Sequence, residues 1–95
     1  MITQGVYRHY KGEYYFVIGI AQHTEEDTRL VLYVPLTGNE GRAGLQLRAR
    51  PLNGVKGFRT PQRVFSPSDP ATGTEVERFT YIGEEMPGAK GSVVG

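Results

Sequence analysis

Ninety-five residues without a cysteine form one small domain near the lower end of the usual size range, and they exclude a disulfide scaffold and any thiolate metal site. A chain this short leaves much of its apolar surface uncovered, so association with further copies of itself is expected. The formal net charge is +1, no apolar run nears the roughly 20 residues of a membrane span, and the N-terminus lacks a signal-peptide layout, which makes a cytoplasmic protein the default expectation.

From Gly5 to Tyr10, Val6, Arg8 and Tyr10 alternate with Tyr7 and His9, which predicts a first strand, and Lys11-Gly12-Glu13 predicts a tight turn. Tyr14 to Gln22 carries the strongest strand signal in the chain. Its run of aromatic and β-branched residues predicts burial on both faces for part of its length, and Gly19 inside it predicts a bulge. Thr24-Glu25-Glu26-Asp27 reads as a polar turn. Arg29 to Leu36 predicts a third strand, with Pro35 confining its end to a sheet edge.

Thr37 to Gly44 is a glycine-punctuated loop. Leu45 to Arg50 alternates Leu45, Leu47 and Ala49 with Gln46, Arg48 and Arg50, which predicts a half-buried strand with arginines on its polar face. Asn53 to Thr74 carries three prolines and three glycines and reads as a long loop holding at most a short strand at Arg63-Val64-Phe65. Glu77 to Ile82 predicts the last strand, and residues 84–95 a flexible Gly/Pro-rich tail beyond a domain spanning 1–83. No segment has helical periodicity. The expected fold is all-β: a small SH3-like barrel of five to six short strands, with a long loop and a disordered tail.

The near-zero net charge hides an asymmetry. Between Arg42 and Arg63 stand five arginines and one lysine (Arg42, Arg48, Arg50, Lys56, Arg59 and Arg63) and no acid. Arginine's planar fork suits bidentate contact with phosphate and stacks on flat rings. Catalytic motifs are absent: there is no nucleophile elbow and no paired-histidine metal motif. His9 and His23 would make a metal or general-base site if the first hairpin brought them together beside Glu25, although a histidine pair at strand ends is more often structural. Gly54-Val55-Lys56-Gly57 has the spacing of a backbone-clamping loop of RNA binders but lacks the flanking helices. The reading is therefore a binder without cofactor or metal.

Candidate ligand contacts are Tyr7, Arg8, His9, Tyr10, Lys11, Tyr33, Arg48, Arg50, Phe58, Arg59 and Arg78, which combine flat rings with charge-assisted donors. They point to a small phosphorylated ligand, such as a nucleotide or cyclic-nucleotide signal. Two other readings remain: a nucleic-acid surface along Arg42–Arg63, and an SH3-like adaptor whose tyrosines form a peptide groove. The bland reading makes Tyr7 and Tyr10 core residues and pairs Arg8 with an acid such as Glu77.

Several motifs follow one another in a familiar order: Gly5-Val6-Tyr7-Arg8-His9-Tyr10-Lys11-Gly12, Tyr15 and Val17, Ala21-Gln22-His23-Thr24-Glu25, Val31 and Tyr33, Arg50-Pro51-Leu52, and Arg78-Phe79-Thr80-Tyr81-Ile82-Gly83. In these residues the chain resembles the domain of unknown function 1653 family of bacteria and their phages. The resemblance implies a compact, mostly β fold and no settled activity. Members usually carry a tryptophan just before the Arg-Pro pair, and an apolar, acidic segment after Leu52. Here those places hold Leu47-Arg48-Ala49-Arg50-Pro51 and the basic, glycine-rich Asn53-Gly54-Val55-Lys56-Gly57-Phe58-Arg59. For a small phage-type binder, sequestration of a host immune signal is the expected role.

Overall fold

Period-two alternation carries through into strands: β1 Gly5–His9, β2 Tyr14–His23, β3 Thr28–Pro35, β4 Arg48–Pro51, β5 Gln62–Ser66, β6 Asp69–Val76 and β7 Phe79–Gly83. A computed structural model of the chain describes residues 2–37 and 46–87. Arg42, Leu45 and residues 88–95 of the expected tail lie outside them.

The strands form two open sheets, a five-stranded antiparallel one in the order β4-β3-β2-β1-β7 and a two-stranded one of β5 and β6. This overturns the expectation of a closed SH3-like barrel. Closure would need β4 to meet β7, but the chain between them spends its strand-forming residues on a separate hairpin. The expected long loop over 53–74 is corrected by the same observation. Gln62↔Val76, Arg63↔Glu75 and Val64↔Thr74 pair locally, and Ser66↔Asp69 closes the hairpin around Pro67-Ser68. No Cα–Cα separation of 8 Å or less joins this hairpin to the strands of the large sheet.

Within the large sheet, β2 and β3 pair from His23↔Thr28 to Tyr15↔Pro35, with a register shift between Val17 and Gly19. That irregularity is the bulge expected from Gly19. On the other side of β2, β1 pairs from Gly5↔Val17 to Arg8↔Tyr14, and β7 then pairs with β1 through His9↔Phe79 and Arg8↔Thr80. These registers put Tyr7, His9, Tyr15, Val17, Val31, Tyr33 and Phe79 on one face, called the inner face here.

The core sits on that inner face and comprises Tyr7, Tyr15, Val17, Val31, Tyr33, Leu52, Phe58 and Phe79. Its cover is the segment after β4, which folds back across the rings. Leu52 N–H donates to the Arg29 carbonyl at 2.9 Å, Phe58 N–H to the Pro51 carbonyl at 2.7 Å, and Arg59 N–H to the Leu52 carbonyl at 3.1 Å. Gly57 is needed at the bend, because a Cβ there would lie 2.5 Å from the Asn53 carbonyl carbon. Among the described residues no segment packs on the outer face in this way. Burial of β2 on both faces is accordingly corrected: Tyr15 and Val17 are buried, Phe16 is half-buried, and Ile18 is 43% exposed.

β4 also reverses the expected orientation. Strand structure begins at Arg48, and it is Arg48 and Arg50 that turn towards the aromatic inner face while Ala49 and Leu47 are exposed. A long arginine stem can cover ring surface and place its guanidinium over it, which a short alanine cannot do.

Because Phe58 is a core residue and Phe65 lies on the detached hairpin, truncating each has a different cost. Phe58→Ala is expected to lower unfolding free energy by about 3–5 kcal/mol in urea titrations, and Phe65→Ala by no more than about 0.5 kcal/mol.

Candidate binding site on the aromatic face

The rings of the inner face meet mostly edge to face. Tyr15 and Tyr33 are 5.3 Å apart at 81°, and Tyr7 and Phe58 are 5.2 Å apart at 78°. Phe58 and Phe79 instead lie parallel, 4.2 Å apart at 4°. Over this floor β4 extends two cations. Arg48 Cζ is 5.8 Å from the Tyr15 ring centroid, and Arg50 Cζ is 5.7 Å from that of Phe79. Arg50 is further held by donating from Nη1 to the Lys56 carbonyl at 2.7 Å and from Nε to Tyr33 Oη at 3.4 Å. Among the described residues the one ion pair joins Arg63 to Glu75 at 3.7 Å, so neither arginine faces a carboxylate partner.

His9 completes the group. The β1–β2 turn fixes its ring, because Lys11 N–H donates to His9 Nδ1 at 3.1 Å. The imidazole stands edge-on to Phe79 at 5.0 Å and to Tyr15 at 6.2 Å. With Nδ1 accepting, the neutral ring carries its proton on Nε2, which has no hydrogen-bond partner among the described residues. Burial pushes its pKa below the ordinary value, the charges of Arg50, Lys11 and Arg78 push the same way, and Glu13 opposes them. Tyr15 moves upward, through burial first and then through donating its hydroxyl to Glu13 Oε1 at 3.0 Å. The site is thus a group of cations above flat rings, with the Glu13 carboxylate held at Tyr15.

The residues expected from sequence fall into several groups. His9, Tyr33, Arg48 and Arg50 converge on this patch. Tyr7 and Phe58 are buried beneath the neighbouring rings, with the Tyr7 hydroxyl donating to the Thr3 carbonyl at 2.7 Å. Arg59 and Arg78 flank a cleft of about 310 Å³ bordered by Tyr7, Phe58, Phe79 and Tyr81. Their guanidinia are occupied, Arg59 with Asn53 Oδ1 at 2.9 and 3.2 Å and Arg78 with the Thr60 carbonyl at 3.2 Å. Arg8 and Tyr10 lie apart from the patch and border a cleft of about 440 Å³ beside the hairpin. Glu77 shares that cleft but forms no ion pair with Arg8. Lys11 stays in the turn, its Nζ 5.9 Å from the Tyr10 ring.

The histidine pair does not form. His9 aligns with Glu13, whereas His23 is ten residues further along β2, roughly 30 Å away at strand rise. His23 Nδ1 instead accepts from the N–H groups of Glu25 and Glu26, both at 3.2 Å. Among the described residues no three His, Asp or Glu side chains are placed to hold a metal. Reasoning from sequence did not single out Tyr15, Phe79 or Glu13. The parity of Tyr15 with Val17, and of Phe79 with Tyr81, was the available signal.

Residues 5–81 match the sequence profile of a family described as "Protein of unknown function (DUF1653)". The chain belongs to that family. A solved DUF1653 protein from Bordetella bronchiseptica is similar in sequence and fold, at 32% identity and a TM-score of 0.67, over 90% of this chain and 94% of that one. No curated protein matches. In this DUF1653 domain the opening motif is the turn that sets His9. Gly12 adopts φ 109°, its N–H donates to the His9 carbonyl at 2.8 Å, and the His9 N–H donates to the Glu13 carbonyl at 2.7 Å.

The lowered pKa of His9 has a consequence for stability. Folding favours the neutral ring, so its contribution is present in full above the unfolded value of 6.5 and is lost as pH falls through the lower folded value. Thermal unfolding is expected to show a drop in Tm as pH falls from 6.5 towards that lower value, and His9→Gln is expected to make the drop smaller.

Proposed function

We propose that this DUF1653 domain binds a small phosphorylated ligand of the nucleotide class, with its phosphate on Arg48 and Arg50 and its flat base against the neighbouring rings. The observation that carries this reading is the placement of both guanidinia over Tyr15 and Phe79, neither of them in an ion pair among the described residues. Planar guanidinium forks bind phosphate oxygens through paired charge-assisted hydrogen bonds, and desolvated aromatic surroundings strengthen those bonds. The Nε2–H of His9 adds a donor at the same patch. A cleft of about 370 Å³ between Tyr33, Arg50 and the Asn53–Gly57 turn adjoins it and has room for part of a ligand.

The reading is binding without turnover. Ser66 and Ser68 hydrogen-bond to each other at 3.0 Å on the hairpin, in a different part of the fold from His9. A nucleic-acid surface has less support, because the cations of the basic stretch do not form one track. Arg48 and Arg50 lie over the rings, Arg59 is bound to Asn53, and Arg63 is paired with Glu75. The peptide-groove reading rested on a closed barrel, and the sheets are open.

A thermal-shift panel of mono-, di- and cyclic nucleotides, with inorganic phosphate alongside, tests the proposal. A ligand at about 100 times its Kd adds about 2.7 kcal/mol to the native state, which raises Tm by several degrees. Arg48→Ala and Arg50→Ala are expected to abolish the shift, and Arg63→Ala to retain it. No shift with any member of the panel refutes the reading, and a steep loss of affinity with salt for oligonucleotides favours the polymer instead.

Bound phosphate also raises the pKa of His9 from its lowered value, so binding takes up protons. Titration calorimetry in two buffers of different ionisation enthalpy is expected to give different apparent heats near neutral pH, a difference that His9→Gln reduces.

A further inference from the structure

Among the described residues, the strand positions on the outer face of the five-stranded sheet are largely apolar, with Gln4 and Glu84 bordering a cleft beside Phe16. The register sets Val6 beside Phe16 and Phe16 beside Val34, making one apolar row across β1, β2 and β3. Leu32 lies opposite Gly19 at the bulge, next to Ile18. Ile18 is 43% exposed and Ile82, on β7, is 39% exposed. Val6 is only 2% exposed. Arg8, at one end, is the one charged side chain among the described strand positions of this face, apart from the titratable His23 at the other. The β5–β6 hairpin borders only the Arg8–Thr80 end.

An antiparallel sheet ordinarily presents polar side chains on its unpacked face. A face of five strands at about 4.8 Å spacing and about 20 Å in length projects to roughly 500 Å². Two such faces together bury roughly 1,000 Å², the lower bound for a biological interface. The charges at its ends select the arrangement. The Glu25-Glu26-Asp27 turn caps the β2–β3 end, and Arg8 and Lys11 mark the opposite end. A twofold axis lying across the strands at the level of Ile18 inverts one sheet on the other and brings each basic end over the other's acidic turn.

We infer that this chain forms a twofold homodimer in which the outer faces of two five-stranded sheets pack on each other with strands antiparallel, the Arg8 end of each over the Glu25–Asp27 turn of the other. Its core is Phe16, Ile18, Leu32 and Ile82. Sheets packed in this aligned way cross at about −30° and interdigitate their inward side chains. The interface uses the face opposite His9, Arg48 and Arg50, so it stands or falls apart from the ligand-binding proposal.

Sedimentation equilibrium over a concentration series tests this, with a dimer of twice the 10.5 kDa chain mass expected. Ile18→Glu is expected to give a monomer with unchanged β circular dichroism, and Ile82→Glu provides the same test if the first variant does not fold. Because the chain has no cysteine, Ile18→Cys is expected to cross-link to a disulfide dimer on oxidation, while Val55→Cys, in the capping segment, is not. Arg8→Glu is expected to weaken association several-fold, and the swap Arg8→Glu with Glu26→Arg to restore it. A monomer at every concentration, a dimer unaffected by Ile18→Glu, preferential cross-linking through Val55→Cys, or a charge swap that fails to restore association overturns the inference.

Discussion

Phe58 lies flat on Phe79, with ring centroids 4.2 Å apart, and the inner face is organised around that contact. Phe79 comes from the last strand of the sheet, and Phe58 from a segment that follows its opposite edge strand, β4. Their stacking therefore ties together parts of the chain that no strand pairing joins. With Phe58 in place, Tyr7 and Tyr33 are covered, and the backbone of the capping segment reaches the partners that satisfy it. A small sheet closed on one face by a single irregular segment gains most of its stability from such shared aromatic burial.

That arrangement also explains why positive charge can collect on an almost neutral protein. Arg50 is anchored to the Lys56 carbonyl of the capping segment, and Arg78 to the Thr60 carbonyl at its end. Backbone carbonyls supply the hydrogen bonds that carboxylates would otherwise supply, so these arginines are ordered without ion pairs among the described residues. His9 registers the result, because both arginines help to hold it in its neutral form. An anion at this patch would meet donors already placed, with little ordering left to complete.

The openness of the sheet has the opposite effect on its other face. In a barrel, curvature would turn each strand's outward residues to solvent and remove both edges. Here β4 and β7 remain edges, and the outward residues of β1 to β3 form a largely apolar layer. The inner face is served by residues of the same chain, whereas among the described residues no other strand packs on the outer face. The inner face thus carries the rings and the arginines above them, and the described strand positions of the outer face are largely apolar.

Alternation is a local property, and what depends on it was legible in the residues. β1, β2, β3 and β7 begin and end within two residues of their expected bounds, and the Gly19 bulge is where the interrupting glycine placed it. The opening motif, through its turn and family, was equally readable. β6 was not, because Thr72, Thr74 and Glu75 carry little apolar signal and are held mainly by pairing with β5. Nor was the direction of Arg48 and Arg50, since a polar side chain turns inward only when rings from other strands are there to receive it. Strand identity and the residue types available for binding were thus set by the sequence itself. Whether the sheet closed, which arginines met which rings, and which face the capping segment covered were decided by contacts between residues far apart in the chain, where local periodicity has no reach.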